Sequence, residues 1–287
     1  MNKDYGSIII CSIVRNAARG LRQNIPAMKW LVRHFNSYKV VVFENDSTDN
    51  TKHLLQKWHD SDPENVHVFM KDLHVAPTIP TECTSTFGPG YSHERISKMV
   101  DYRNQYMDYV SAQGWTADYL MVIDLDVGHI SRRGMLSCFN QPFEWDAITA
   151  FGWGLDLNLK IIYIDNYPAV LPSDQHLSRT KRYHSYMTHY CAEQRKLSKT
   201  PFPMFSAYGG AAIYKFDRVA HLRYQLLYNK DDFVECLCEH ETLHIQMDAE
   251  GHNLTYVNPR FMIKYFTETL NTWYYYFKCV IRRKWNN

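Results

Sequence analysis

With 287 residues, 45% of them apolar and 22% charged, the chain suits one large α/β domain or two small ones and is not globally disordered. A net charge of +2 supplies no general drive toward nucleic acid, so no nucleic-acid partner is expected. The 7 cysteines are odd in number, scattered and without a CxxC pair, which argues against a disulfide scaffold or a Cys-rich zinc site.

Residues 7–14 (SIIICSIV) form a continuous apolar run, as expected of a strand covered on both faces. The run is too short for a signal peptide, and no stretch reaches the roughly 18 apolar residues of a membrane span. A reduced, cytoplasmic setting is expected. Residues 20–35 carry helical spacing, 39–44 (KVVVFE) make a second strand, and NDSTDNT is a turn that could cap a helix over 51–59. A third strand is predicted at 66–70, then a long loop at 72–91 with three prolines, and a long helix at 92–113. Residues 119–126 (YLMVIDLD) read as a buried strand ending in acid, followed by strands at 146–153 and 160–165. The second half is irregular until a helix at 233–249. Alternating strands and helices predict a parallel or mixed sheet with helices on both sides. The last stretch, 271–287, is a basic-aromatic tail. It either docks on the domain as a helix or makes a peripheral contact with anionic lipid.

The sharpest local signal is MVIDLDVG. Strand residues alternate faces, so Asp124 and Asp126 point the same way while Leu125 points into the core. Two carboxylates at the end of a buried strand repel, and a divalent cation relieves them; hard oxygen ligands suit Mn²⁺ or Mg²⁺. Ligands of open α/β sheets bind beyond the carboxyl ends of strands, where this pair falls. Glu44 also ends a strand, placed for a ribose hydroxyl or a base N–H, although Asn45, Asp46 and Ser47 could simply form a turn and cap. A glycan on the Asn45-Asp46-Ser47 sequon would block such a pocket, in keeping with a cytoplasmic setting. Arg15 and Asn16 follow the first strand, where a nucleotide would lie, but neither GxGxxG nor GxxxxGK[ST] is present. Arg103 falls inside the apolar stripe of the long helix. It must either pair internally with an acid or reach an anion in the cleft. Finally, CEHETLH contains His240-Glu241-x-x-His244, the letters of a zinc-protease motif.

A strand followed by VRN, a strand running into FENDSTDNT, an Arg-bearing helix and then DLD together resemble the GT-A glycosyltransferases. Within these they resemble the capsular α-1,3-mannosyltransferase-like family, over roughly residues 7–260. The resemblance implies an α/β fold of GT-A type, a Rossmann-like mixed central sheet flanked by helices. It implies one catalytic domain over 1–270, with a nucleotide-sugar half at about 1–127 and an acceptor half at about 128–270. It further implies a GDP- or UDP-linked sugar donor, a glycan or other hydroxyl acceptor, and an Mn²⁺ or Mg²⁺ ion. Asp124, Asp126 and His244 would then be metal candidates. Arg15, Asn16, Glu44, Asp46, Arg103, Asp124 and Leu125 would lie on the donor. Gly209 and Gly210 in FSAYGGAAIYKFD would lie on the acceptor side. The family's acidic motif falls at CEHETLH, where its Glu-Asp pair reads Glu239-His240, leaving Glu239, His240 and Glu241 as catalytic candidates.

Two alternatives belong to other classes. A zinc metalloprotease would use His240 and His244 as ligands and Glu241 to activate water, with Glu268 as a candidate third ligand. A non-catalytic carbohydrate- or nucleotide-binding module would need no carboxylate pair.

Overall fold

The computed structural model describes residues 4–75, 92–156, 160–229 and 234–265. The 271–287 tail, Glu268 and most of the 72–91 loop lie outside the described residues. Ten strands form a single mixed sheet. Its elements in chain order are β1 (Ser7–Val14), α1 (Ala18–Leu31), β2 (Ser37–Asn45), α2 (Thr51–Asp60), β3 (Val66–Lys71), α3 (His93–Ala112), β4 (Tyr119–Ile123), β5 (His129–Ile130), α4 (Arg132–Cys138), β6 (Ala147–Leu155), β7 (Ile161–Tyr163), α5 (Lys181–Leu197), β8 (Phe202–Met204), β9 (Ala211–Lys215), α6 (Phe216–Val219), α7 (Glu239–Ala249) and β10 (Thr255–Lys264).

The strand order is β3-β2-β1-β4-β9-β6-β10-β5, with β7 on β6 and β8 on β10. The first four strands are parallel. β9 runs antiparallel between β4 and β6, and β10 is again parallel to β6. This mixed α/β sheet with helices on both faces is the fold class the sequence predicts.

β1 shows why an apolar run becomes a central strand. Ile8 and Ile10 pack into the layer under α1, α2 and α4, while Ile9 and Cys11 pack into the opposite layer with α3 and α7. All four are at most 2% exposed, and each fully buried aliphatic side chain contributes about 1.5–3 kcal/mol. A third, smaller cluster sits under α5.

Several elements differ from the sequence expectation, and β5, α4, β8, β9 and β10 are additional to it. The strand expected at 119–126 stops at Ile123, so the acids stand beyond the ladder. The helix expected from 233 begins at Glu239. α5 was not expected at all. The NDSTDNT turn also has a second use. No side chain caps α2 from Asn50; instead Asp49 accepts the Thr51 and Ala18 N–H groups, and the Thr51 hydroxyl accepts that of Ala17. The turn therefore fastens the start of α1 as well. Among the described residues no helix is long and apolar enough to cross a membrane.

Candidate functional site

The topology assembles the site before any side chain is considered. β9 is antiparallel to β4, so the residues before β9 lie beside the residues after β4. The Asp124 N–H accordingly donates to the Gly210 carbonyl at 2.9 Å. The acids of DLD and the glycines 209 and 210 share the carboxyl edge of the sheet.

α1 holds the DLD segment from below. The Asn24 amide donates to the carbonyls of Leu125 and Val127 at 2.9 and 2.8 Å. A Cβ on Gly20 would stand 2.5 Å from the Leu125 carbonyl oxygen and 2.7 Å from the Asp126 backbone, so only glycine permits this approach. Leu125 is fully buried, as its parity predicts, so it serves this edge through its backbone.

Asp124 is half-buried and its Oδ1 accepts the Tyr208 hydroxyl at 2.8 Å. Arg103 stands 3.6 Å from the same oxygen and donates through Nε to Glu239 at 3.0 Å. Burial raises the Asp124 pKa, with Arg103 and Tyr208 opposing. Asp126 is open to water at the cleft mouth, yet the surrounding protein, then the charge of Asp124, push its pKa up to about 7. Arg103 thus pairs internally with acids, the first of its two predicted options. Its guanidinium also lies 5.3 Å from the Tyr208 ring centroid.

Asp126 forms one wall of a cavity of about 300 Å³, lined also by Arg15, Asn45, Val75, Arg95, Lys98, Met99 and Tyr102. Arg95, Lys98, Met99 and Tyr102 are one face of α3, a polar stripe beside the apolar one that holds Arg103. The stripe is present in the sequence at spacings of three and four, beside the apolar one. Arg15 donates to the Val75 carbonyl at 2.9 Å and stays on the cavity rim.

Three donor-side candidates build the rim without lining the cavity. Asn16, at φ +50°, accepts the Thr48 N–H at 2.8 Å, and its own N–H donates to Ser47. Asp46, at φ +52°, accepts the N–H groups of His74 and Val75. Against desolvation, those bonds and the Asn45 amide hold its pKa below the usual range. Glu44 is fully buried, accepting the Ser47 N–H at 2.8 Å while its Oε2 has no partner. Parity explains the difference. Val40 and Val42 face α1, so Glu44 does too, whereas Phe43 and Asn45 turn toward Tyr102.

α7 is buried on every side of its first turns. Glu239, His240, Glu241 and His244 are exposed by 4%, 2%, 1% and 0%. Glu241 is bound by Arg179, from Nε at 3.0 Å and Nη2 at 2.6 Å. Arg179, itself 1% exposed, also donates to the carbonyls of Asp174, Gln175 and Leu177, tying that loop to α7. His240 stacks on Tyr208 with centroids 3.5 Å apart, and burial, then Arg103 and His244, lower its pKa well below the ordinary value. His244 contacts Asn253 and Thr255 through Nδ1 at 3.2 and 3.0 Å, and burial lowers its pKa to about 4.

His244 is therefore engaged at the start of β10 and does not join Asp124 and Asp126. Among the described residues no three His, Cys, Asp or Glu side chains are grouped to hold a metal. The zinc-protease arrangement is not assembled either, because Glu241 is held by Arg179 and buried away from water.

On the other side of the DLD acids, Gly209 (φ +65°) and Gly210 (φ +87°) make the turn into β9. A Cβ on Gly209 would stand 2.0 Å from the Ala150 carbonyl, so the turn lies flat on β6. The Gly209 N–H donates to Asp165 at 2.9 Å. Burial, then the charge of Asp124, push the Asp165 pKa up to about 7. Tyr265, at the end of β10, covers Gly152 and Gly210. The sequence does not single out Asp165, Tyr265, Asn24 and Arg179, which stand in no recognisable motif, nor Tyr208, which stands in FSAYGGAAIYKFD beside the two glycines. A larger cavity of about 470 Å³, lined by Tyr5, Arg133, Lys199 and Arg260 among others, lies near the amino end of β1, away from these acids.

Fold and site define a mixed α/β protein with a cleft at the carboxyl edge of its sheet, lined by the Asp126 carboxylate and the cations Arg15, Arg95 and Lys98. No protein-family model matches the chain, and no curated protein does. Among solved structures it is similar to the mannosyltransferase PcManGT from Pyrobaculum calidifontis in complex with GDP-Man and Mn²⁺, at 13% identity and a TM-score of 0.42. That match covers 87% of this chain but 56% of the other, so the chain spans little more than half the length of that enzyme. It is also similar to S. aureus TarS 1-349, at 12% identity and a TM-score of 0.45, over 90% of this chain and 60% of that one. A third is glucosyl-3-phosphoglycerate synthase from Mycobacterium tuberculosis with Mn²⁺, UDP and phosphoglyceric acid. It is 12% identical with a TM-score of 0.46, over 93% of this chain and 72% of that one.

Proposed function

We propose that the protein is a metal-dependent glycosyltransferase, moving a sugar from a GDP- or UDP-linked donor to a hydroxyl of a glycan or other acceptor. The observation that carries this reading is the sharing of one cleft by the Asp126 carboxylate and the cations Arg15, Arg95 and Lys98. A carboxylate alone would repel a diphosphate, and cations alone would need no acid. Both together suit a diphosphate bound with a divalent ion.

The donor set fits such an ion. Asp124 and Asp126 offer hard oxygens, and the Asp126 pKa is pushed up to about 7 because the surrounding protein and Asp124 oppose its charge, which a cation would relieve. Bound there, Mn²⁺ or Mg²⁺ would take up charge on the diphosphate leaving group. The chain's own residues do the rest. Arg15, Arg95 and Lys98 hold phosphate oxygens, and Tyr102 with Asn45 offers a ring and an amide to the nucleoside. Asn16, Asp46 and Glu44 fix the turns that carry these groups. Arg103 holds Asp124 and α7 in register. Gly209 and Gly210, packed under Tyr265 and against β6, make the turn that would carry the acceptor side.

The test is donor hydrolysis. Purified protein should release nucleoside diphosphate from a nucleotide sugar with Mn²⁺ and stop on chelation. A non-catalytic binding module would bind the donor and leave it intact.

A further inference from the structure

Direct displacement at the sugar requires a group to receive the acceptor's hydroxyl proton, and α7 does not present one. Glu239 is 4% exposed and faces Arg103 at 3.0 Å. Glu241 is 1% exposed and held twice by Arg179. His240 is 2% exposed and covered by Tyr208. Each could reach an acceptor only after a buried pair or stack came apart, which for an ion pair costs several kcal/mol.

Asp165 is placed differently. It follows β7, half-buried rather than enclosed like the α7 acids, and lies toward β6 in the sheet order, whereas the donor cavity lies toward β1 and β2. The Gly209 N–H bonds its carboxylate at 2.9 Å, so backbone rather than a cation orients it. The Asp124 N–H donates to the Gly210 carbonyl at 2.9 Å, so one two-glycine turn joins Asp165 to the DLD acids at the same edge of the sheet. Tyr265, which covers Gly210, lies within reach of its charge as well.

We propose that Asp165 is the catalytic base of the transfer, a role that rests on the donor reading above. The attacking hydroxyl oxygen forms the new bond to the anomeric carbon while the bond from that carbon to the diphosphate oxygen breaks. The leaving diphosphate keeps the electron pair, and the hydroxyl proton passes to the Asp165 carboxylate. A single displacement of this kind inverts the anomeric centre.

Water can stand in for the acceptor, so the test needs no knowledge of the natural one. Wild type, Asp165→Asn and Asp126→Asn are each given GDP-mannose and UDP-glucose with Mn²⁺. Donor affinity is measured by calorimetry, the rate of GDP or UDP release by chromatography, and the first-formed sugar anomer by NMR. Removing a general base costs 10²–10⁴ in rate, so Asp165→Asn should hydrolyse donor at least about 100-fold more slowly with affinity within about three-fold of wild type. Asp126→Asn should lose affinity itself. The wild type should release the inverted anomer, a readout that needs no variant to fold. Hydrolysis by Asp165→Asn within about three-fold of wild type, or a retained anomer, overturns the assignment. A wild type that binds, with metal, neither of these donors nor free GDP or UDP refutes the donor reading instead.

Discussion

Replacing Arg103 by Met removes a charge that buried Glu239 and half-buried Asp124 share. Its guanidinium is 3.0 Å from Glu239 and 3.6 Å from Asp124, at 5% exposure of the residue. Methionine restores much of the stem's packing, so the loss is chiefly electrostatic. Leaving a buried carboxylate without its partner costs about 3–5 kcal/mol. For a chain of this size, each kcal/mol lowers Tm by roughly 2–4 °C, so the expected fall is about 6–20 °C. The sign with pH follows from Asp124, whose pKa burial already raises and Arg103 opposes. Without Arg103 it rises further, so the neutral form carries the folded state at low pH and stability is lost as pH climbs through the raised value. Urea denaturation at pH 5 and pH 8 should therefore show a larger deficit at pH 8. Adding Glu239→Gln to the variant should recover part of it. A variant within about 1 kcal/mol of wild type at both pH values would show that Arg103 does not hold these acids together.

Asp126→Asn should abolish metal-dependent stabilisation by donor without lowering the melting temperature of the free protein. With its pKa raised to about 7, the folded protein carries an unfavourable charge above about pH 7 that asparagine removes; the gain, screened by solvent, is at most about 1 kcal/mol there and vanishes below about pH 4. A marked drop in Tm would contradict this. Gly20→Ala should cost about 1–3 kcal/mol and weaken Mn²⁺-dependent donor binding, because the new methyl displaces the DLD backbone. Unchanged melting and binding would show that this contact is slack. His244→Gln should blunt acid sensitivity. Its folded pKa of about 4 lies below the ordinary value, so its stability contribution is present above about 6.5 and lost as pH falls toward 4. Wild type should lose roughly 3 kcal/mol more than the variant over that range, and parallel denaturation curves would refute it.

Much of the amino-terminal half was legible because its physics is local. The apolar run of β1, the acid-ended β4 and the helical stripe containing Arg103 each follow from periodicity. So does the parity that buries Leu125 between two acids. α5 escaped because its sequence, KRYHSYMTHYCAEQRKL, lacks an aliphatic stripe and buries Tyr183, His184, Met187 and Cys191 instead. Glu44 misled because strand parity, readable in VVVFEN, places Asn45 rather than Glu44 toward the cleft. The partners of CEHETLH could not be read at all. Arg103 lies 136 residues from Glu239 and Arg179 lies 62 from Glu241, and no local pattern joins them. Asp165 belongs with these, since only the hairpin of β6 and β7 and the glycine turn before β9 bring it beside Asp124.

The most direct test of the account is calorimetric titration of nucleotide sugars into chelator-treated protein, with and without added Mn²⁺, on wild type and Asp126→Asn. A GDP- or UDP-linked donor should bind the wild type only when the metal is present and should fail to bind the variant. Equal donor binding with and without metal, or equal binding by Asp126→Asn, would contradict the assignment of the carboxyl edge of β4 as the donor site.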